Sequence, residues 1–226
     1  MDHLISVAID GPSGAGKSTV AKAIAKQFGF IYVDTGAIYR TVGLAAQHAN
    51  VDSKDAAGVI ALLPDIHIDI AYDEEGTQRM LLNGTDVSGE IRTPRSSIYA
   101  SDVSALPEVR AFLMEMQREM ARKHAVIMDG RDIGTVVLPD AELKIFLTAS
   151  AEERARRRFL ELQKKGDPST MEEVLRDIRY RDEQDSSRAA APLKPAEDAV
   201  YLDTSDLDFE SSVAAVAALV RERTGI

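Results

Sequence analysis

Cysteine and tryptophan are both absent from this chain. Without cysteine there can be no disulfide framework, thiolate metal site or cysteine nucleophile, and a reducing compartment suits the composition. Histidine is scarce. His3, His48, His67 and His124 show no ligand spacing, so no zinc site is expected. No run approaches the roughly 18 apolar residues of a membrane span. The N-terminus also lacks the basic, apolar and small-residue succession of a secretory signal, so a cytoplasmic protein without membrane contact is expected. Positive charge is in deficit, with 27 Lys and Arg against 37 Asp and Glu and a net charge of -10. That balance repels polyanions unless basic residues gather in one place, so general nucleic-acid binding is not expected. What is present is ordinary for a folded protein: 226 residues, 45% hydrophobic and 28% charged. This is enough for one large domain or one domain carrying an insertion.

The chain opens with an apolar run, Leu4 to Ile9, which glycines end abruptly, as expected of a buried parallel strand. From Lys17 the period changes: Val20, Ala21, Ile24, Ala25 and Phe28 share one helical face, and Gly29 stands at the C-cap. Ile31 to Val33 reads as a second strand and Ala37 to His48 as a helix whose small residues permit close packing. Ile66, Ile68 and Ile70 then alternate with other residues, Arg79 to Leu82 follows a turn-like segment, and Asn83-Gly84 leads into Thr85 to Ile91. This predicts about three short antiparallel strands in an inserted subdomain near 64–93. After Pro94 a helix is expected through Gln117 and beyond. Ala125 to Met128 and Leu143 to Leu147 resume the buried-strand pattern, the latter running into a helix start at Thr148 to Glu153. A basic helix, Arg154 to Lys165, stops at Gly166-Asp167-Pro168, and Thr170 with Glu173 has capping-box spacing for the next helix. A strand at Ala199 to Leu202 and an amphipathic helix at Phe209 to Arg223 complete the chain. Strand and helix alternate, which implies an α/β fold with a mostly parallel sheet covered by helices.

Gly11-Pro12-Ser13-Gly14-Ala15-Gly16-Lys17-Ser18 matches the Walker A phosphate loop in full, between a predicted strand and a predicted helix. Its glycines allow backbone N–H groups to converge on phosphate oxygens. Lys17 supplies a mobile charge for the β- and γ-phosphates, and the Ser18 hydroxyl, with Thr19 after it, opens a helix whose positive end faces the nucleotide. ATP binding through residues 11–19 follows. Ser18 can also join a Mg²⁺ shell, and Asp129, directly after an apolar strand, is placed for a Walker B role on that ion, most simply through water.

Such a loop serves GTPases, motors, small-molecule kinases and nucleotide sensors alike. No Asn-Lys-x-Asp segment for reading guanine is present. Instead, arginines recur near predicted strand ends: Arg40, Arg92, Arg110, Arg131, Arg154, Arg156, Arg157, Arg158, Arg176, Arg179, Arg181 and Arg188. In an acidic protein, arginines that return to one cleft suit a small polyanion, because guanidinium groups grip phosphate bidentately. At this point the segments 34–40 (Asp-Thr-Gly-Ala-Ile-Tyr-Arg), 86–92 (Asp-Val-Ser-Gly-Glu-Ile-Arg), 129–137 (Asp-Gly-Arg-Asp-Ile-Gly-Thr-Val-Val) and 181–188 (Arg-Asp-Glu-Gln-Asp-Ser-Ser-Arg) together resemble bacterial cytidylate kinase, over nearly the whole chain. Ser18 and Thr35 depart mildly from several family members, which carry Gly and Ser there.

The resemblance implies a nucleoside-monophosphate kinase: a single domain over 1–226, with a core of 1–63, 94–150 and 190–226 built on a five-stranded parallel sheet. It also implies an enlarged monophosphate-binding insertion, 64–93, and a short helical lid, 154–188. By the same resemblance Arg40, Arg131 and Arg188 hold the phosphate of CMP, and Asp34, Thr35 and Tyr39 line the same pocket. Ser101, Arg110 and Asp132 read cytosine, and Arg181 and Asp185 lie near the ribose. From the basic run, Arg157 is the arginine expected to face ATP, and the loop Lys164 to Ser169 is expected to form the lid tip. The expected reaction is ATP + CMP (or dCMP) to ADP + CDP (or dCDP) with Mg²⁺, by a monomer with small-molecule partners only. The alternatives left open are a kinase for UMP, AMP or a hydroxylated metabolite, and a nucleotide sensor without turnover.

Overall fold

A computed structural model describes residues 4–164 and 166–226. His3, the first residues of the expected core and Lys165 at the expected lid tip lie outside the described residues. The strands are β1 (Ser6–Asp10), β2 (Ile31–Asp34), β3 (Ile68–Tyr72), β4 (Gln78–Leu82), β5 (Thr85–Asp86), β6 (Val126–Gly130), β7 (Leu143–Thr148) and β8 (Val200–Asp203). The helices are α1 (Lys17–Phe28), α2 (Thr35–His48), α3 (Ala56–Leu62), α4 (Pro94–Val103), α5 (Pro107–Lys123), α6 (Ala151–Lys164), α7 (Met171–Ser187) and α8 (Phe209–Thr224). Five strands form one parallel sheet in the order β2-β6-β1-β7-β8, and β3-β4-β5 form a separate antiparallel sheet.

The period of two along the central strands assigns each face of the main sheet its own core. On β1, Val7 and Ile9 face the α1 and α8 layer, and on β6 and β7 Ile127, Leu143, Ile145 and Leu147 join them. Ala8, Val126 and Met128 face the opposite layer with α2, α5 and the insertion. Each fully buried branched side chain contributes about 1.5–3 kcal/mol of transfer free energy. The small residues of α2 have a specific use: a Cβ on Gly43 would lie 2.8 Å from the Cβ of Tyr99, so glycine lets α4 close onto α2. A third, smaller cluster, Ala155, Val174 and Ile178, joins α6 to α7. The Thr170–Glu173 capping box forms with both of its bonds.

Two expectations about elements are corrected. The helix expected from Pro94 through Gln117 is two helices, because Leu106 precedes Pro107 and stays extended (φ -82°, ψ 120°). The third strand of the insertion is only Thr85–Asp86. Beyond it the Ser88 hydroxyl, rather than a strand, takes up the Met80 N–H at 2.9 Å, and Glu90–Arg92 is a helical turn. The Asn83-Gly84 turn forms as expected, with both residues at positive φ (50° and 80°). Two elements had no sequence signal we recognised: α3, and a single wide helical turn at Ile133–Val137.

Candidate active site

Strand register places the polar ends of β1, β2 and β6 at one edge. Asp34 pairs with Asp129, Ile9 with Asp129, and Asp10 with Gly130. The phosphate loop leaves β1 here. Gly11 sits at φ +148°, and a Cβ there would come within 1.9 Å of the Leu147 carbonyl oxygen, so only glycine lets the loop pass β7. Lys17, buried, donates to the carbonyls of Gly11 (2.8 Å) and Pro12 (2.9 Å). Burial and the Arg131 charge lower the pKa of its ammonium, against the opposing pull of Asp129, Asp10 and Asp185. The Thr19 N–H and the Val20 N–H bond the Gly16 carbonyl as α1 begins.

Asp129 is the hub of this edge. Its Oδ2 accepts from Ser18 Oγ at 2.8 Å, its Oδ1 from the Tyr32 hydroxyl at 2.7 Å, and its backbone carbonyl from Thr35 Oγ1 at 2.7 Å. Burial, and then the charge of Asp34, push the Asp129 carboxyl up. A buried carboxylate and a hydroxyl, converging beside the phosphate loop in an environment that penalises uncompensated negative charge, fit a hard divalent cation with oxygen ligands.

Opposite the loop, Asp34 caps α2 by accepting from Ala37 N (2.8 Å) and pairs with Arg40 Nη2 (2.9 Å). Gln78 of the insertion grips the same residue: its Oε1 accepts from Asp34 N at 2.7 Å and its Nε2 donates to Asp34 O at 3.3 Å. Arg110 from α5 and Asp132 after β6 form a buried ion pair, with the guanidinium carbon 5.7 Å from the centre of the buried Tyr39 ring. Burial pushes the Asp132 carboxyl up, opposed by Arg110 and Arg188. Arg110 also donates to Ser104 O at 3.3 Å, which the break between α4 and α5 leaves available. Asp185 of α7 joins Arg131 (2.7 Å) to Arg188. Burial works against its ionisation, but the two arginines more than offset this and hold its carboxyl below the usual range. Arg181 donates to Ser13 Oγ at 3.1 Å, so α7 reaches the loop itself. Ser101 and Arg188 line an open cleft of about 250 Å³ together with Ser53, Lys54, Asp102 and Gln184.

Segments from β1, α2, α5, β6 and α7 thus bring acids and arginines together around the ends of β1, β2 and β6. Residues 7–222 match the family described as Cytidylate kinase. The chain belongs to the cytidylate kinase family. Among its relatives, the cytidylate kinase of Lactobacillus johnsonii is 50% identical over 99% of this chain and 96% of that protein. The cytidylate kinase of Geobacter sp. (strain M21) is 52% identical over 97% and 94%. In fold alone, an uncharacterized protein from Eubacterium ventriosum matches with a TM-score of 0.54 at 13% identity, over 97% of this chain and 99% of that one.

Within this member of the cytidylate kinase family, Arg157, the arginine expected to face ATP, bonds the loop backbone at Ala15 and the segment after β8. Its guanidinium is bonded to Glu153, to Ala15 O (3.4 Å) and to Thr204 O (2.6 Å). Its neighbour Arg154 is buried and reaches the loop tip, with Ser13 O at 3.0 Å and a bidentate pair to Asp182 at 2.9 and 2.6 Å. No local pattern distinguishes these two arginines; only their angles around α6 do. Three residues of this edge, Asp10, Tyr32 and Gln78, escaped the sequence reading, and Arg154, named there within the arginine set, was passed over for Arg157. Asp10 alone left a usable signal, being a lone acid that closes an apolar strand immediately before the loop.

Proposed function

We propose that the chain transfers the γ-phosphoryl group of ATP to CMP, and to dCMP, giving ADP and the corresponding diphosphate. The observation that carries the reading is the buried Arg110–Asp132 pair beside the Arg131–Asp185–Arg188 cluster, facing the phosphate loop. Cytosine presents an amino donor beside two acceptors, so a carboxylate toward the amine and a guanidinium toward N3 and O2 separate it from uracil. In this reading Asp132 and Arg110 read the base with Ser101, and Tyr39 packs beneath them. Arg40, Arg131 and Arg188 hold the phosphate with Asp34 and Thr35 beside it, and Arg181 and Asp185 meet the sugar.

The chemistry asks little of the protein beyond position and charge. A CMP phosphate oxygen is already largely ionised near neutral pH, the second pKa of a phosphate monoester being about 6, so no general base is required. Lys17 and the loop N–H groups cradle the β- and γ-phosphates, while the arginines of α2, β6 and α7 bring the acceptor oxygen in line and stabilise charge on the moving group. Ser18 and Asp129 would hold Mg²⁺, directly or through water, which neutralises charge on the β- and γ-phosphates when bound. Arg154 and Arg181 fix the loop at Ser13 from α6 and α7, and Arg157 supports it at Ala15. The reading takes the protein as a cytoplasmic monomer acting on small molecules.

The test is ADP release from MgATP with CMP, dCMP, UMP, AMP, GMP and no acceptor. Turnover confined to CMP and dCMP is expected. Preference for another acceptor would overturn the roles of Ser101, Arg110 and Asp132, and ATP binding without turnover would make the protein a sensor.

A further inference from the structure

Asp10 is buried at the last position of β1, one residue before the phosphate loop. Its Cα pairs with Gly130 in the sheet, and its carboxylate reaches over the end of β6 to accept from Ile133 N and Gly134 N, each at 2.7 Å. These are the first two amides of the helical turn Ile133–Val137, donors that a turn cannot satisfy internally. The residue placed by sequence to cap that turn is Asp132, and aspartate is among the best residues for the task. The Asp132 side chain nevertheless makes no capping bond; its backbone (φ -148°, ψ 27°) is neither helical nor extended, and its carboxylate pairs with Arg110.

We propose that Asp10 is a positioning residue for base recognition: by occupying the Ile133 and Gly134 amides, it keeps the Asp132 carboxylate from curling back to cap its own turn and so holds it toward Arg110. The inference rests on the reading of Asp132 as a base-reading residue. The carboxylate is not retained for cheap stability. Burial pushes it up to about 6 despite the two amide bonds, with Asp132 adding to the rise and Lys17 opposing it. The same bonds tie the donor and acceptor halves together, because Asp10 is contiguous with Gly11, whose carbonyl holds Lys17.

The test is a double-mutant cycle with Asp10→Asn and Asp132→Asn, reading KM for CMP, KM for ATP and the ratio of kcat/KM for CMP over UMP. An asparagine at position 10 accepts one amide only, so Asp10→Asn is expected to raise KM for CMP and to cut the CMP/UMP ratio by about tenfold or more. KM for ATP should stay within about twofold of the parent, while the double variant should be no less selective than Asp132→Asn alone, since both lesions remove the same interaction. Multiplying losses in the cycle, or equal rises in KM for ATP and CMP, would make Asp10 a structural residue and overturn the proposal. Asp10→Ala serves as a second variant; if neither variant folds, the role is structural and the proposal falls. An unmutated protein without preference for CMP would instead sink the functional reading itself, which separates the two failures.

Discussion

The phosphate loop and the pocket facing it share one sheet edge but are assembled in opposite ways. Residues 11–18 carry the loop in one contiguous stretch, and its shape is set locally: Lys17 bonds Gly11 and Pro12, and α1 starts inside the motif. The pocket draws Asp34 and Arg40 from α2 and its cap, Arg110 from α5, Arg131 and Asp132 from beyond β6, and Arg181, Asp185 and Arg188 from α7 and its end. Its defining contacts span long sequence separations, 22 residues for Arg110–Asp132 and 54 for Arg131–Asp185. A contiguous motif takes its shape from its own glycines and its flanking strand and helix, and the distant arginines that reach it bond a loop already formed. A pocket assembled from distant segments is as precise as the packing that brings them together.

That contrast can be broken in order of expected effect. Lys17→Ala removes charge from the loop and should lower kcat about 100- to 1000-fold with every acceptor, as measured by ADP release. If the loss depended on the acceptor, the two halves would not be separable. Asp132→Asn should reduce the CMP over UMP ratio by roughly tenfold or more while leaving ATP binding intact. Equal losses for the two acceptors would remove Asp132 from base reading. Gln78→Ala cuts the tie between the insertion and Asp34, leaving the buried-edge Asp34 N–H unpaired at a cost of about 1–3 kcal/mol. KM for CMP should rise several-fold, and thermal melting should drop. An unchanged KM would confine the insertion to stability.

The smallest effect is expected at the Glu153 carboxylate, which meets the loop only through Arg157. Arg156 and Arg157 hold the Glu153 carboxyl down at about 2. Because its folded pKa is depressed, its stabilising contribution is present above the ordinary glutamate range near pH 4.5 and is lost as pH falls through about 2. Glu153→Gln should therefore lower Tm at pH 7 by only about 1–2 °C, as a surface pair in a chain of this size does. The difference should close as melts are repeated toward pH 2. A gap that stayed constant with pH would mean that the pairing is not what holds the carboxyl down.

Legibility in the sequence followed the same division. The strands β1, β6 and β7 were plain because residues buried on both faces leave a mostly apolar run, and the Thr170–Glu173 cap was plain because its donors and acceptors are three residues apart. Where tertiary contacts decided, the reading stopped short. Met80 N takes a serine hydroxyl in place of a longer β5. The division of one expected helix at Pro107 was by contrast a local signal left unread, and it frees the carbonyl that Arg110 uses. Within the basic run of α6, two arginines three positions apart bond different carbonyls of the loop, Arg154 that of Ser13 and Arg157 that of Ala15.

By itself the sequence determined the phosphate loop, the parallel α/β architecture and the set of charged residues available to an acceptor, because periodicity, caps and glycine conformations act over a few residues. Only the tertiary structure decided which of those charges meet. Burial makes an unpaired charge costly, so Arg110 closes on Asp132 and Arg131 and Arg188 close on Asp185 once the sheet has brought their segments to one edge. The turn after Asp132 finds its cap on Asp10, a neighbouring strand away and more than 120 residues earlier.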